Sequence, residues 1–255
     1  MTHALHVLHN GRGMRVAVDT HHARLLSWQA PDRYGRMADV LAASPLAAPS
    51  LPGWRCIASE PAGMLLRLVH DGQHLALRFR LDDDGTLSVD GDGDGDGDAA
   101  VLPAPCFNLQ GHGASVGDHV LRLGASRFLP AAALPARDVA GSAFDFRQPA
   151  PLGARLAWPE LAGVPGFAHE FCLEGGGALR EVARVSDPAS GRVLRLSSTL
   201  PALHLRSDGG CFCLAAAGLE RTPGTVLQAS VAFRLGVQDI DAFDISEAVS
   251  MALNK

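Results

Sequence analysis

The chain alternates apolar and polar residues over short segments, and turn residues interrupt that alternation every few positions. A period of two fits strands and no other regular element. Met64–Val69 (MLLRLV) and His74–Leu81 (HLALRFRL) flank Asp71-Gly72, which predicts a tight hairpin. His119–Leu123, Val193–Leu196, Ala202–Leu205 and Val226–Leu235 have the same texture. Turn signals such as Asp83-Asp84-Gly85, Gly175-Gly176-Gly177, Pro188–Gly191 and Asp208-Gly209-Gly210 fall between them. Helical windows are scarce; Ile240–Leu253, with Asp244 and Glu247 near its start, is the candidate helix. The pattern predicts an all-β fold, a large antiparallel sandwich in place of a βαβ architecture. All-β sandwiches of 255 residues are often single domains, so residues 1–255 are expected to form one.

Hydrophobic residues make up 47% of the chain, enough for a sizeable core. The formal net charge is −5 and no basic stripe is evident, so no nucleic-acid partner is expected. The first residues, MTHALHVLHNGRG, lack a charged start followed by a signal-length apolar run. No stretch approaches the roughly 18 apolar residues of a membrane span. The expectation is a soluble cytoplasmic protein, with oligomeric state open. The five cysteines (Cys56, Cys106, Cys172, Cys211, Cys213) do not suggest a disulfide framework. The CxC spacing of Cys211 and Cys213 puts both thiols on one face of a strand, where they are read as small packing groups; no metal site is expected. Asp90–Asp98 reads DGDGDGDGD. It matches no calcium-loop template and is expected to be a flexible acidic surface loop.

No HExxH, GxSxG, P-loop or GxGxxG in a βαβ setting occurs, so no cofactor is expected. A series of longer segments is more telling: Leu26–Val40 (LSWQAPDRYGRMADV), Phe107-Asn108-Leu109, Gly117–Pro130 (GDHVLRLGASRFLP), Ala140–Arg147 (AGSAFDFR), Gly166–Leu173 (GFAHEFCL), Ser186–Leu205, Cys211–Leu214 and Thr222–Val237. Taken in order, they resemble the aldose 1-epimerase (galactose mutarotase) family over most of the chain. The resemblance implies a galactose-mutarotase-like β-supersandwich. It also implies acid–base work on a sugar hemiacetal. A glutamate takes the proton of the C1 hydroxyl, a histidine protonates the ring oxygen, and the opened ring recloses after rotation. A second histidine, an arginine and an aspartate hold the sugar hydroxyls.

Carried over position by position, those roles fall on residues that cannot perform them. The acid histidine corresponds to Ala104, the binding aspartate to Ala168 and the base glutamate to Ala215. The segment that would carry the arginine and the second histidine has no counterpart between Val40 and Trp54. The expected catalytic set is therefore empty. Four residues remain as candidates for a monosaccharide or sugar derivative. His204 stands where the family has a sugar-contacting glutamine. His112 lies in a Gly-flanked turn, where loops carry function. His169 is retained, but alternation turns it away from the face of Ala168. Asn108 is expected to satisfy backbone groups locally. Arg33 and Arg36 are read as a solvated hairpin tip. Three functions remain open: an aldose-1-epimerase-like protein without standard mutarotase activity that keeps a sugar cleft; a mutarotase or epimerase using relocated histidines such as His204 and His112; and a non-catalytic interaction scaffold.

Overall fold

The computed structural model describes residues 5–43, 51–94, 102–130, 135–218 and 227–238. The chain opens with β1 (Leu5–His9), β2 (Arg15–Asp19), β3 (Arg24–Pro31) and β4 (Met37–Asp39), a meander forming a four-stranded sheet. It continues through β5 (Arg55–Glu60), β6 (Gly63–His70), β7 (Gln73–Leu81), β8 (Thr86–Asp94), β9 (Cys106–Phe107), β10 (Val120–Leu123), β11 (Ala125–Leu129), β12 (Arg137–Asp138) and β13 (Ala150–Pro151). After the short helix α1 (Leu152–Leu156) come β14 (Ala168–Leu173), β15 (Arg180–Ser186), β16 (Arg192–Ser198), β17 (Ala202–Ser207), β18 (Phe212–Ala217) and β19 (Leu227–Val237). A nine-stranded sheet has the order β13-β10-β15-β16-β19-β8-β7-β6-β5, and a six-stranded sheet the order β12-β11-β14-β17-β18-β9. The large antiparallel sandwich expected from the alternation is the fold observed.

The β6–β7 hairpin turns where Asp71-Gly72 predicted it, with positive φ at both residues (50° and 78°) and His70 paired with Gln73. The DGDGDGDGD segment departs from expectation. Its first five residues, Asp90–Asp94, continue β8 as an interior strand between β7 and β19, and residues 95–98 lie outside the described residues. The repeat itself has a period of two, so it can pleat: the aspartates point out and Gly91 and Gly93 point in. A Cβ on Gly91 would lie 3.2 Å from the Leu102 side chain, so the inward glycines make room for their neighbours. The candidate helix at Ile240–Leu253 lies outside the described residues.

The apolar faces of all three sheets share one core. Val16, Val18 and Trp28 enter from the small sheet, Phe79, Val89, Leu194 and Phe233 from the large one, and Phe171, Leu203, Leu205 and Phe212 from the six-stranded one. Phe107, fully buried, joins them: its ring centroid lies 6.4 Å from that of Trp28, 5.8 Å from Phe212 and 5.9 Å from Phe233. A second junction is polar. Arg192, 2% exposed, donates from Nη1 to Leu109 O (2.7 Å), from Nη2 to Arg36 O (3.0 Å) and from Nε to Pro31 O (3.2 Å). Burial lowers its pKa, and the carboxylates of Asp32 and Asp187 oppose that shift. Arg33 is not a solvated tip. Its amide donates to Ser190 O (2.9 Å) and its Nη2 to Pro188 O (2.6 Å), docking the turn 31–36 on the turn 187–191. The partner turn is 155 residues away in sequence, which local reading does not reach.

Two substitutions test these joints. Gly166 enters β14 so close to β17 that an added Cβ would sit 1.7 Å from Ser207 O. Gly166→Ala is expected to cost about 1–3 kcal/mol or more, since backbone must move; a urea midpoint equal to that of the wild type would refute the close approach. Arg192→Lys replaces a planar fork with one ammonium that cannot serve three carbonyls. It is expected to cost about 2–3 kcal/mol in the same titration.

Candidate functional site

In an antiparallel ladder, directly paired residues point to the same side of the sheet. The registers of β14, β17 and β18 therefore assign the two faces of the six-stranded sheet. His169, Phe171, Leu203, Leu205, Phe212 and Leu214 point into the core. The outer face carries three rows: Ala168, Arg206, Cys213 and Cys106; then Glu170, His204 and Ala215; then Cys172, Ala202 and Ala217. Ala168 and Ala215, where the family resemblance places the aspartate and the base, lie on this face together. Ala104 lies half-buried two residues before Cys106.

Glu170 and His204 are the titratable pair at the centre of this face, directly opposite each other across β14 and β17. Both are half-buried. Burial pushes the Glu170 carboxyl above its ordinary range. Burial, helped by the positive charge of Arg206, lowers His204. Among the described residues neither side chain has a hydrogen bond or ion pair to offset its desolvation. Polar groups held in that state are suited to receive hydroxyls from a ligand.

The other candidates do not converge on His204. His169 lies on the core face, with its ring centroid 4.4 Å from Phe144 and 6.0 Å from Phe128, and burial lowers its pKa. Alternation from Ala168 anticipated that orientation. His112 is exposed in its turn and lines a cavity of about 290 Å3 with Asn108, Asp208, Cys211 and small residues. Asn108 is 2% exposed and committed to loop closure. Its Nδ2 donates to Ala114 O (2.8 Å) and Gly210 O (2.9 Å), and its Oδ1 accepts from Gln110 N (3.1 Å). It shapes the cavity wall and has little capacity left for a ligand.

Sequence reading missed Glu170. The signal was present, because the alternation that turns His169 inward turns Glu170 outward. Also missed was His119, fully buried, whose Nε2 accepts from Leu109 N (3.0 Å) and whose pKa is lowered by burial. It props the Phe107–Leu109 segment from behind and touches no open surface. The cysteine expectation is corrected too: Cys106 and Cys213, paired across β9 and β18, form a disulfide. Their 107-residue separation hid that contact, which exists only once the short edge strand β9 docks on β18. The CxC pair packs on one side as expected, but with Cys106 as a third sulfur. The three sulfur atoms lie within 4.8 Å of one another.

The family model for aldose 1-epimerase matches residues 73–219, and this chain belongs to that family. It is 36% identical over 132 residues to galactose mutarotase from Bos taurus, covering 48% of this chain and 38% of that protein. It is 39% identical over 104 residues to galactose mutarotase from Homo sapiens, covering 38% of this chain and 30% of that protein. The chain thus aligns with about two fifths or less of the length of these curated relatives. The fold is that of the aldose epimerase homologue from C. elegans (TM-score 0.71, 12% identity, 92% of this chain and 99% of that one). It is also that of galactose 1-epimerase from Lactobacillus acidophilus NCFM (TM-score 0.66, 19% identity, 91% and 94%).

The desolvated Glu170 gives a pH test. A carboxyl whose folded pKa is raised keeps its proton in the folded state while the unfolded chain has released it. Folding is therefore penalised as pH rises through the ordinary value of 4.5. Glu170→Gln is expected to be more stable than wild type at pH 7, with the difference disappearing below about pH 4.5. Equal stability of the two proteins at pH 7 would show that Glu170 is not desolvated.

Proposed function

We propose that this chain binds an aldose or a close sugar derivative on the outer face of the six-stranded sheet and does not perform mutarotation with the family's acid–base pair. The observation that carries this reading is the row Glu170–His204–Ala215. It sets a methyl group where the base would stand, beside two desolvated polar groups that have no partner among the described residues. A methyl group cannot accept a proton. Ala168 likewise cannot hold a hydroxyl. Glu170 and His204, with Arg206 one row along, supply acceptor and donor positions across a sheet surface about one monosaccharide wide, since neighbouring strands are about 4.8 Å apart. The matched galactose mutarotases support a sugar as the ligand class.

A second reading is favoured by the same pair. Burial moves the Glu170 carboxyl up toward the neutral range where general acids work, and it keeps the His204 imidazole in its neutral, proton-accepting form. Glu170 and His204 would then act as a relocated acid–base couple on a bound hemiacetal.

A sugar that binds only the folded state must raise its stability, by about 2.7 kcal/mol at one hundred times its Kd. A thermal-shift screen over hexoses, pentoses and sugar phosphates is expected to give stabilisation that His204→Ala weakens about tenfold in apparent affinity, equivalent to about 1.4 kcal/mol. A flat screen would remove the binding reading. Polarimetry on fresh α-glucose and α-galactose is expected to show only the spontaneous rate. Acceleration that Glu170→Gln abolishes would establish the relocated couple instead.

A further inference from the structure

A cluster of sulfur lies beside the sugar face and plays no part in the reading above. Cys106 ends the gap before Phe107 on the edge strand β9, Cys213 faces it from β18, and Cys211 immediately precedes β18. All three side chains are buried, at 3%, 3% and 2% exposure, with Ala42 packed against them. Cys106 and Cys213 are joined as a disulfide, and Cys211 keeps its thiol. A staple between two strands needs two cysteines. A third thiol within 4.8 Å of both partners makes the bond exchangeable, because a thiolate in reach can attack either sulfur. The same spacing suits a different bond. Around a tetrahedral Zn2+ with sulfur at about 2.3 Å, neighbouring sulfurs sit about 3.8 Å apart. Cys211 Sγ, within 4.8 Å of the other two, needs to draw in by no more than about 1 Å, and the two sulfurs of the reduced pair move apart from covalent contact to that spacing.

We propose that Cys106, Cys211 and Cys213 form a redox-gated site for a thiophilic divalent cation of the Zn2+ type. In the oxidised state the disulfide occupies two of the three ligands and the site is closed. A dithiol reductant opens it: the reductant's two thiols become its own disulfide, and Cys106 and Cys213 take up the two electrons and two protons as free thiols. One Zn2+ then binds the three sulfurs as thiolates, and three protons leave to solvent. Cys211 lines a cavity together with His112 and Asp208, which gives the ion a path in and a source of the remaining ligand, water or the His112 imidazole. Three thiolates and one dication leave a net negative charge. Arg206, paired in register with Cys213 on the same face, lies where its guanidinium opposes that charge. Either bond ties the two-residue strand β9 to β18, so the cation replaces the covalent tie when the disulfide is reduced.

The test uses the full chain, reduced with a phosphine under anaerobic conditions, freed of metal by a chelator and titrated with Co2+ and then Zn2+. One Co2+ per chain with an intense sulfur-to-metal charge-transfer band is expected, displaced by Zn2+. Of the five thiols, three should be protected from alkylation by Zn2+, leaving Cys56 and Cys172 reactive. The oxidised protein is expected to show no such band. Cys211→Ser keeps the disulfide pair and is expected to lower the affinity of the reduced protein at least tenfold, while the double variant Cys56→Ser, Cys172→Ser binds as the wild type does. Absence of the charge-transfer band in the reduced protein would overturn the proposal. So would undiminished binding by Cys211→Ser, or loss of binding in the double variant.

Discussion

Phe107 sits where the three sheets meet, and the packing around it holds β9 against β18, one of the strands that carry the candidate site. Its ring touches Trp28 from the small sheet, Phe233 from the large one and Phe212 from the neighbouring strand of its own sheet. Because β9 is two residues long, its two ladder pairs alone would hold it weakly. Burial of a phenylalanine, worth roughly 1.5–3 kcal/mol, fixes it, and the sulfur link on its outer side adds a second tie. The polar counterpart is Arg192, which gathers three carbonyls from segments that share no strand. An apolar junction and a guanidinium junction thus hold the loops that frame the outer face.

That outer face has an energetic signature of its own. Asp32, Asp145 and Asp187 accept from nearby backbone amides or a neighbouring guanidinium. Among the described residues Glu170 and His204 have no such partner, and burial shifts both away from their charged forms. A fold that keeps two desolvated groups side by side gives up stability there, a cost commonly found at binding and catalytic surfaces. The family resemblance assigns the acid and the base to Ala104 and Ala215, and polar side chains stand one and two strands from Ala215, at His204 and Glu170. The Glu170–His204 row and the sulfur cluster adjoin each other through the Ala168–Arg206–Cys213–Cys106 row. Arg206 stands between them and is positioned to influence both.

How much could be read without coordinates depended on the range of the interaction. Alternation within a strand is local chemistry. It placed the strands, the Asp71-Gly72 hairpin, the inward turn of His169 and, had it been followed one residue further, the outward turn of Glu170. The ordered series of family-like segments carried the fold. Asp90–Asp94 of the Asp-Gly repeat were misread because composition suggested a loop, whereas their period of two matches a pleat once β7 and β19 are available on either side.

The sequence by itself determined the β architecture, the turns and the family, because each is written in residues close together along the chain. Tertiary structure decided which residues became neighbours. The pairing of Glu170 with His204 and the meeting of Cys106 with Cys211 and Cys213 depend on strand order and register across the six-stranded sheet, and the docking of Arg33 on a turn 155 residues away depends on how the four-stranded and nine-stranded sheets pack. Register is fixed by the burial of one whole face at a time, a collective quantity that no short segment contains.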